Sequence, residues 1–287
     1  MTSILDRINE WMQEILIGAI ETNLSNMFGD VNERVGTIAE QVGQTPYAWN
    51  ANIFNLVQLL SETVIMPLAG IVIAYVLCAE LISMVIEKNS FNDIDTSMFF
   101  KFMFKAWVAV IIVAHTFDIT MAIFDVAQHI VASAAGVISG DTAIDINEAI
   151  AMMDLEAYDI PELLLLSITT FIVSFALQIM GIVITVILYG RMIEIYLSCS
   201  VAPIPLATMM NEKWGQMGQN YLRALFALGF QGFLLMVCVG IYAVLVNDMI
   251  VSSNLHTAIF TVTAYTVILC FAMIKTGSLA RSIFNAA

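Results

Sequence analysis

Four ionisable side chains recur along one otherwise apolar segment: His115, Asp118, Asp125 and His129. Spacings of three, seven and four place them on roughly one face of a helix. Such groups within a membrane are costly, and they are candidates for a proton relay or the wall of an aqueous path. A second interpretation is that this face is wetted on the outer side or contacts another subunit. We favour it, because Asp118 and Asp125 would lie roughly 20 and 30 Å beyond Lys105 at 1.5 Å per residue.

A further carboxylate, Glu80, interrupts the apolar segment 58–86. A carboxylate at membrane depth is expected to be protonated or paired. Lys105, Arg191 and Arg223 are the cations that could reach it from the same side. We favour such a structural ion pair over a role in transport.

The sequence contains no recognisable catalytic or cofactor-binding motif. It lacks G-x-S-x-G, Walker A, H-E-x-x-H and G-x-G-x-x-G patterns. Its four cysteines form no C-x-x-C pair, and we interpret them and the eighteen methionines as packing residues. The two histidines and two aspartates could suggest a metal site, but nothing else in the chain supplies a strong ligand set. We therefore predict no enzyme activity, no cofactor and no bound metal.

The composition indicates a membrane protein. Hydrophobic residues make up 60% of the 287-residue chain and charged residues 12%, whereas soluble domains average about 45–50% and about 25%. Residues 163–189, 224–247 and 257–274 contain no charge, and a helix of about 20 apolar residues spans a bilayer. The net charge of −14 argues against direct or sequence-specific nucleic-acid binding through a basic surface. We predict an all-α, polytopic helical membrane protein.

Five membrane spans can be distinguished from the apolar runs. They are predicted at about 58–86, 102–135, 163–190, 222–247 and 256–275. Lys and Arg occur in the 87–105 and 191–223 connections and in the C-terminal tail, but not in 140–162 or 248–255. Because basic connections stay in the cytoplasm, this alternation predicts an external N-terminus and an internal C-terminus. The 140–162 connection, which is strongly acidic, then lies outside.

Residues 1–52 have no span of their own and are predicted to form an extracytoplasmic amphipathic segment, ahead of a five-span domain over 53–287. Apolar residues between Ile4 and Ile20 recur at helical spacing, and Val31–Val42 suggests a second, shorter helix. Helices that lie on anionic lipid usually have a basic polar face, but this one is acidic. We therefore expect it to pack against protein, and a second copy of the chain is one candidate.

The stretch from Arg191 to Trp214 interrupts the apolar pattern. Arg191 and Glu194 are three residues apart and can face one another on a helix. Pro203 and Pro205 should push Ala202 and Ile204 out of helical geometry, and non-helical backbone at membrane depth needs cover from protein or water. We predict a buried cytoplasmic elbow over 191–221 with a short amphipathic piece before the fourth span. A plain connector with prolines as helix stops is the alternative.

These residues also resemble a known family. A span ending in R-M-I-E-I-Y, then S-V-A-P-I-P-L-A, a W-G and a further apolar span is similar to the TrbL family over about 185–245. Its members are polytopic inner-membrane subunits of conjugative type IV secretion systems in bacteria. The resemblance implies a non-enzymatic platform of several copies, near secretion ATPases inside and a stalk subunit outside. It also implies a cytoplasmic contact surface at Arg191, Glu194, Pro203, Pro205 and Trp214.

Three function classes are compatible with these observations. The first is a scaffold or channel subunit of a conjugative secretion system, supporting DNA or protein translocation. The second is a transporter or channel for small solutes or protons that uses the polar face of the second span. A lipid-handling or holin-like protein is a third possibility. Neighbouring genes would separate them, because a scaffold should be encoded beside secretion ATPases and a relaxase.

The topology can be tested by labelling. Single cysteines that replace Asp145 and Glu212 should react with an impermeant thiol reagent from opposite faces of intact cells, with Asp145 outside, because basic connections are retained in the cytoplasm. The parent chain, labelled in parallel, is the control. Labelling of both positions from the same face would contradict the span count.

Overall fold

The computed structural model describes residues 4–87, 96–138, 155–211, 213–250 and 255–286, and within these ranges it contains helices and no β-strand. The helices are α1 Ile4–Gly43, α2 Pro46–Trp49, α3 Ala51–Leu60, α4 Met66–Glu87, α5 Thr96–Ala114, α6 Thr116–Ile138, α7 Ile160–Val201, α8 Pro203–Ala207, α9 Gly215–Ile250 and α10 Leu255–Ile283. A π-helical turn, Ser61–Ile65, joins α3 to α4, and a 3₁₀ turn covers Leu155–Ala157.

Six helical segments in the described residues are long and apolar enough to cross a membrane, which confirms the predicted all-α, polytopic class. They are Ala51–Ile86, Ser97–Ala114, Thr116–Val137, Ile160–Val201, Gly215–Asp248 and Ile259–Ile283. Three of them contain the predicted first, third and fourth spans, and Ile259–Ile283 overlaps the predicted fifth span and continues beyond its end. The remaining two divide the predicted second span at His115.

The interruption at His115 does not break the helical hydrogen bonding. The His115 amide donates to the Ile111 carbonyl and the Ile119 amide to the His115 carbonyl, both at 3.0 Å. The hydroxyl of Thr116 additionally donates to the Val113 carbonyl at 2.9 Å, a back-bond that often bends a helix. Helices α5 and α6 are therefore joined by continuous backbone hydrogen bonds. The five-span count and the orientation remain predictions.

The N-terminal segment forms one helix of 40 residues, α1, so the prediction of two separate amphipathic helices is wrong. No proline occurs between residues 21 and 45, and the interior glycines cost only about 1 kcal/mol each in a helix. One part of the apolar face of α1 is buried and another part is exposed. The side chains of Ile20 and Leu24 are buried, whereas Trp11 and Ile15 are exposed.

The chain divides into two compact units. The first comprises residues 1–42, 133–188 and 235–275, and the second comprises 43–132, 189–234 and 276–287. In the first unit polar side chains fasten α1 to α7: the Asn23 amide donates to the Thr170 hydroxyl at 3.3 Å and the Ser174 hydroxyl to the Asn23 carbonyl at 3.2 Å. Apolar packing is thus supplemented by hydrogen bonds between distant segments.

In the second unit α6, α7 and α9 share an apolar core. Its buried members are Phe117, Ile123, Phe124, Met192, Ile195, Tyr196, Cys199, Leu225 and Leu228. The short helix α2 adds Trp49, which makes an edge-to-face contact with Tyr189 at 5.1 Å between ring centroids. The Tyr196 hydroxyl donates to the Pro46 carbonyl at 2.6 Å. These contacts hold the start of the first span against α7.

Two glycines of α9 permit close helix packing in this core. A Cβ atom on Gly229 would lie 2.9 Å from the Cβ of Ala127, and one on Gly232 would lie 2.7 Å from the Arg191 guanidinium. Real Cβ atoms do not approach so closely, so a larger residue at 229 would force α6 and α9 apart, whereas one at 232 would displace the flexible Arg191 side chain. A Cβ atom on Gly190, in contrast, would have no neighbouring atom within 4 Å.

We expect Gly229→Leu to destabilise the protein by about 1–3 kcal/mol, the usual cost of overpacking a core. Gly190→Leu is the matched control and should keep or raise stability, because it gains helix propensity without a clash. Thermal unfolding of both variants in detergent measures the difference. Equal midpoints would show that α9 does not pack this closely on α6.

Candidate functional site at the proline elbow

The elbow contains two successive helical pieces instead of irregular backbone. Helix α7 ends at Val201 and α8 begins at Pro203. Between them Ala202 has φ −52° and ψ −35°, so the prediction that the prolines push it out of helical geometry is wrong. Amide groups in the first turn of a helix have no acceptor within that helix, so Pro203 and Pro205 are tolerated at the start of α8.

The elbow is sheltered within its own unit. Pro203, Leu206 and Ala207 are buried. Ala207 belongs to an apolar cluster that also contains Ala69 and Ile73 of α4 and Ala109 and Val113 of α5. Three of its five members are alanines, and such small side chains let neighbouring backbones come close. The elbow therefore packs directly on α4 and α5.

A polar junction lies beside this cluster. The Lys105 ammonium group forms an ion pair with Oε1 of Glu80, and the Asn211 amide donates to Oε2 at 2.9 Å. The side chains of Lys105 and Glu80 are 32% and 18% exposed. This confirms the predicted pairing of Glu80 and identifies Lys105 as its partner. One carboxylate thus connects α4, α5 and the elbow.

Asn211 also organises the residues that follow it. Its side-chain oxygen accepts from the amides of Lys213 at 2.9 Å and Trp214 at 3.0 Å. This is the local turn that Asn side chains favour. The Trp214 ring stacks on Tyr75 of α4, with centroids 5.3 Å apart and an interplanar angle of 16°. Our sequence reasoning did not identify Asn211 or Tyr75 as site residues, although an Asn that starts a polar turn was the available signal.

Arg191 and Glu194 face one another closely enough to interact electrostatically, but their nearest neighbours differ. Arg191 is only 8% exposed and lies beside Gly232, whereas Glu194 pairs with Arg281 of α10. In the part of the chain that the structure describes, Nε of Arg191 has no hydrogen-bond partner. Helical spacing allowed the pair, but tertiary neighbours determined the actual partners.

The five residues predicted as a partner-contact surface differ in exposure. Arg191 and Pro203 are buried and Pro205 is partly buried. Trp214 is 42% exposed, and the Glu194 side chain is 43% exposed. A partner that approaches this chain as it stands can therefore reach Trp214 and Glu194 most readily.

The polar face on α5 and α6 is exposed along its length. Nδ1 of His115 lies 3.3 Å from Oδ2 of Asp118, and these side chains are 64% and 77% exposed. Asp125 and His129 are not buried either. The structure therefore does not bury any of the four residues. Whether this face contacts water, a pore or another subunit remains a prediction.

The described residues provide no grouping of three or more His, Cys, Asp or Glu side chains that could hold a metal ion. The arrangement at the elbow consists of one partly buried ion pair, one amide-centred turn and an aromatic stack. These features fix the positions of helices and leave charged and aromatic groups accessible. They describe a multi-pass helical membrane protein whose elbow packs against α4 and α5.

Comparison with known protein families shows to which family of membrane proteins the chain belongs. The family described as TrbL/VirB6 plasmid conjugal transfer like protein matches residues 31–203, which is more than half of the chain. The chain therefore belongs to this family, and the match includes the R-M-I-E-I-Y segment and the first elbow proline. Membership implies a structural subunit of a conjugal transfer, or type IV secretion, system. No curated protein and no solved structure matches the chain.

A double-mutant cycle tests the polar junction. Glu80→Gln and Lys105→Gln should each destabilise the protein by about 1–3 kcal/mol, because each leaves a partly buried group without its charged partner. The double variant should lose less than the sum of the two. Arg281→Gln is the control, since its pair with Glu194 is exposed and should contribute under about 1 kcal/mol. Additive losses in thermal unfolding would show that Glu80 and Lys105 do not interact.

Proposed function

We propose that this protein is a membrane scaffold or channel subunit that acts in several copies at the core of a conjugative type IV secretion system. In this role it supports DNA or protein translocation across the bacterial inner membrane. The family match over residues 31–203 is the main support. The exposed surfaces of two helices give independent support for contacts with other subunits.

Helix α7 carries the first of these surfaces. Its exposed large apolar side chains begin at Leu164 and continue through Phe175, Val186 and Leu197 to Val201. At 1.5 Å per residue this stripe is about 55 Å long, whereas the hydrocarbon core is about 30 Å thick. If α7 were tilted by about 40°, the hydrocarbon core would still cover only about 39 Å of the stripe. Lipid tails cannot cover the whole stripe, so protein contact is expected at one end.

The N-terminal helix α1 carries the second surface. Ile8, Trp11, Met12 and Ile15 are exposed, and acidic residues occupy much of the remaining face. An acidic face is unfavourable on anionic lipid. We therefore expect α1 to contact protein, either another copy of this chain or an external stalk subunit. The acidic 140–162 connection is assigned to the same external side, although residues 140–154 lie outside the described part of the chain.

The five-span, N-out and C-in topology places the elbow in the cytoplasm. Trp214 and Glu194, which are accessible there, are proposed to contact the secretion ATPases or another cytoplasmic subunit. Arg191, Pro203 and Pro205 would then act indirectly, because their burial fixes the backbone that presents the exposed residues. The five elbow residues are thus assigned two roles according to the exposure of their side chains, instead of forming one contact surface together.

A small-solute or proton transporter is the second candidate. The polar face at His115, Asp118, Asp125 and His129 supports it, since polar side chains facing lipid would be costly. On the scaffold proposal this face is wetted or contacts another subunit. Purified protein in sealed vesicles distinguishes the two: proton or solute flux that disappears in Asp118→Asn supports transport, and tight vesicles argue against it.

Deletion of the gene should abolish conjugative DNA transfer, and expression of the wild-type chain from a second locus should restore it. Cysteine at Leu197, on the part of α7 beyond the span, should form cross-links in donor membranes. Cysteine at Gly190 serves as a control for expression and insertion. Normal transfer by the deletion strain, or a chain that stays monomeric and unlinked in donor cells, would contradict the proposal.

A further inference from the structure

We propose that the cavity between α4, α5 and the elbow binds the phosphate headgroup of one anionic membrane phospholipid. The cavity has a volume of about 450 Å³, within the range of about 300–1,000 Å³ that is typical of ligand sites. All of its lining residues belong to the second compact unit. The inference goes beyond the secretion role, because it assigns a lipid ligand to the elbow.

The charge of the cavity favours an anion. Among the described residues, Lys101, Lys105 and Lys213 line it together with one carboxylate, Glu80, so positive charge exceeds negative charge by two in this set. Lys105 is already paired with Glu80. No carboxylate among the described residues forms an ion pair with Lys101 or Lys213. These two ammonium groups are therefore available to a phosphate.

The polar floor of the cavity is held in place by the junction described above. The carboxylate of Glu80 accepts from Lys105 and Asn211, and Asn211 in turn fixes the amides of Lys213 and Trp214. The backbone from which the Lys213 side chain extends is thus anchored to α4. Lys101 lies one helical turn before Lys105 on α5, so the cations approach the cavity from two different elements.

The apolar part of the lining favours a lipid over an acidic protein segment. Met84, Met98 and Phe102 line the cavity together with the stacked rings of Tyr75 and Trp214. Aromatic residues of this kind occur at the level of lipid headgroups. The methionine and phenylalanine side chains provide surface for the glycerol and the first methylene groups of an acyl chain.

The surroundings of the cavity are also suited to lipid. The adjacent helical positions carry large exposed apolar side chains: Ile71, Ile82, Ile86, Phe100 and Phe104 are 58–69% exposed. An anionic headgroup in the cavity would leave its tails beside this surface. The predicted topology puts the cavity at the cytoplasmic leaflet, and basic pockets between helices on that side bind anionic headgroups.

The test measures lipid retention by the full chain. Purified protein in detergent is titrated with dioleoyl phosphatidylglycerol or with dioleoyl phosphatidylcholine of the same acyl composition, and bound lipid is counted by native mass spectrometry. We expect about one phosphatidylglycerol to be retained in preference to phosphatidylcholine. Lys101→Gln/Lys213→Gln should weaken phosphatidylglycerol binding about twenty-five-fold, since each lysine near an anionic lipid contributes about a factor of five.

The matched control is Arg7→Gln/Lys275→Gln, which removes the same charge from residues that do not line the cavity; it should bind phosphatidylglycerol like the wild type. Unfolding midpoints verify folding, and if the double cavity variant is unstable, Lys213→Gln alone should weaken binding about fivefold.

Several results would overturn the proposal. These are equal retention of both lipids, equal binding by the cavity and control variants, or displacement of phosphatidylglycerol by millimolar inorganic phosphate, which would indicate a site for free phosphate. Displacement by a short poly-glutamate peptide would indicate an acidic segment of a partner protein instead. Conjugative transfer does not enter these measurements, so the lipid site and the secretion role can fail separately.

Discussion

The ion pair between Glu80 and Lys105 is the interaction on which the elbow depends. A carboxylate placed in an apolar helix must be compensated, because an unpaired charge in a poorly solvated position is unfavourable. Lys105 supplies the charge from α5, and Asn211 supplies a hydrogen bond from the elbow at 2.9 Å. Satisfying this one partly buried carboxylate brings three chain segments together. These contacts position the turn after α8.

Small residues also allow α4, α5 and the elbow to pack closely through apolar contacts. Alanines at positions 69, 109 and 207 share one cluster, and glycine at 229 allows α9 to approach Ala127. Where hydrocarbon surrounds a helix, exclusion of water gives little drive for association, so close packing and a few polar contacts must hold helices together. The polar junction and the alanine cluster are therefore complementary parts of one arrangement.

The length of α7 supports the proposed contacts with other subunits. Helix α7 has 42 residues and keeps exposed apolar side chains far beyond the thickness of a bilayer. A large apolar surface that neither lipid nor its own chain covers marks a contact site. A subunit of a conjugal transfer system needs such contacts, since it operates within an assembly. The lipid headgroup proposed for the neighbouring cavity would add a membrane component to the same region.

Much of this protein follows from the sequence. Uncharged runs such as 163–189 predicted the helical membrane class, because a bilayer leaves few alternatives to a helix, and the depth of Glu80 predicted that it would be paired. The resemblance at R-M-I-E-I-Y agreed with the family that the comparison shows. Local sequence patterns predicted the bounds of individual helices less reliably, because several backbone conformations were compatible with the same pattern. The segment 4–43 continued as one helix, and the prolines at 203 and 205 began a new helix.

Tertiary structure decided which partners meet. Spacing predicted that Arg191 faces Glu194, and the two interact electrostatically. It did not predict that Gly232 leaves room for the guanidinium group or that Arg281, from a distant helix, pairs with the carboxylate. Asn211, Tyr75 and Lys101 acquired a shared site only because α4, α5 and the elbow converge. Burial in a membrane is a property of short segments and can be read from composition. The choice among several available cations depends on side-chain distances across helices, which only the folded chain fixes.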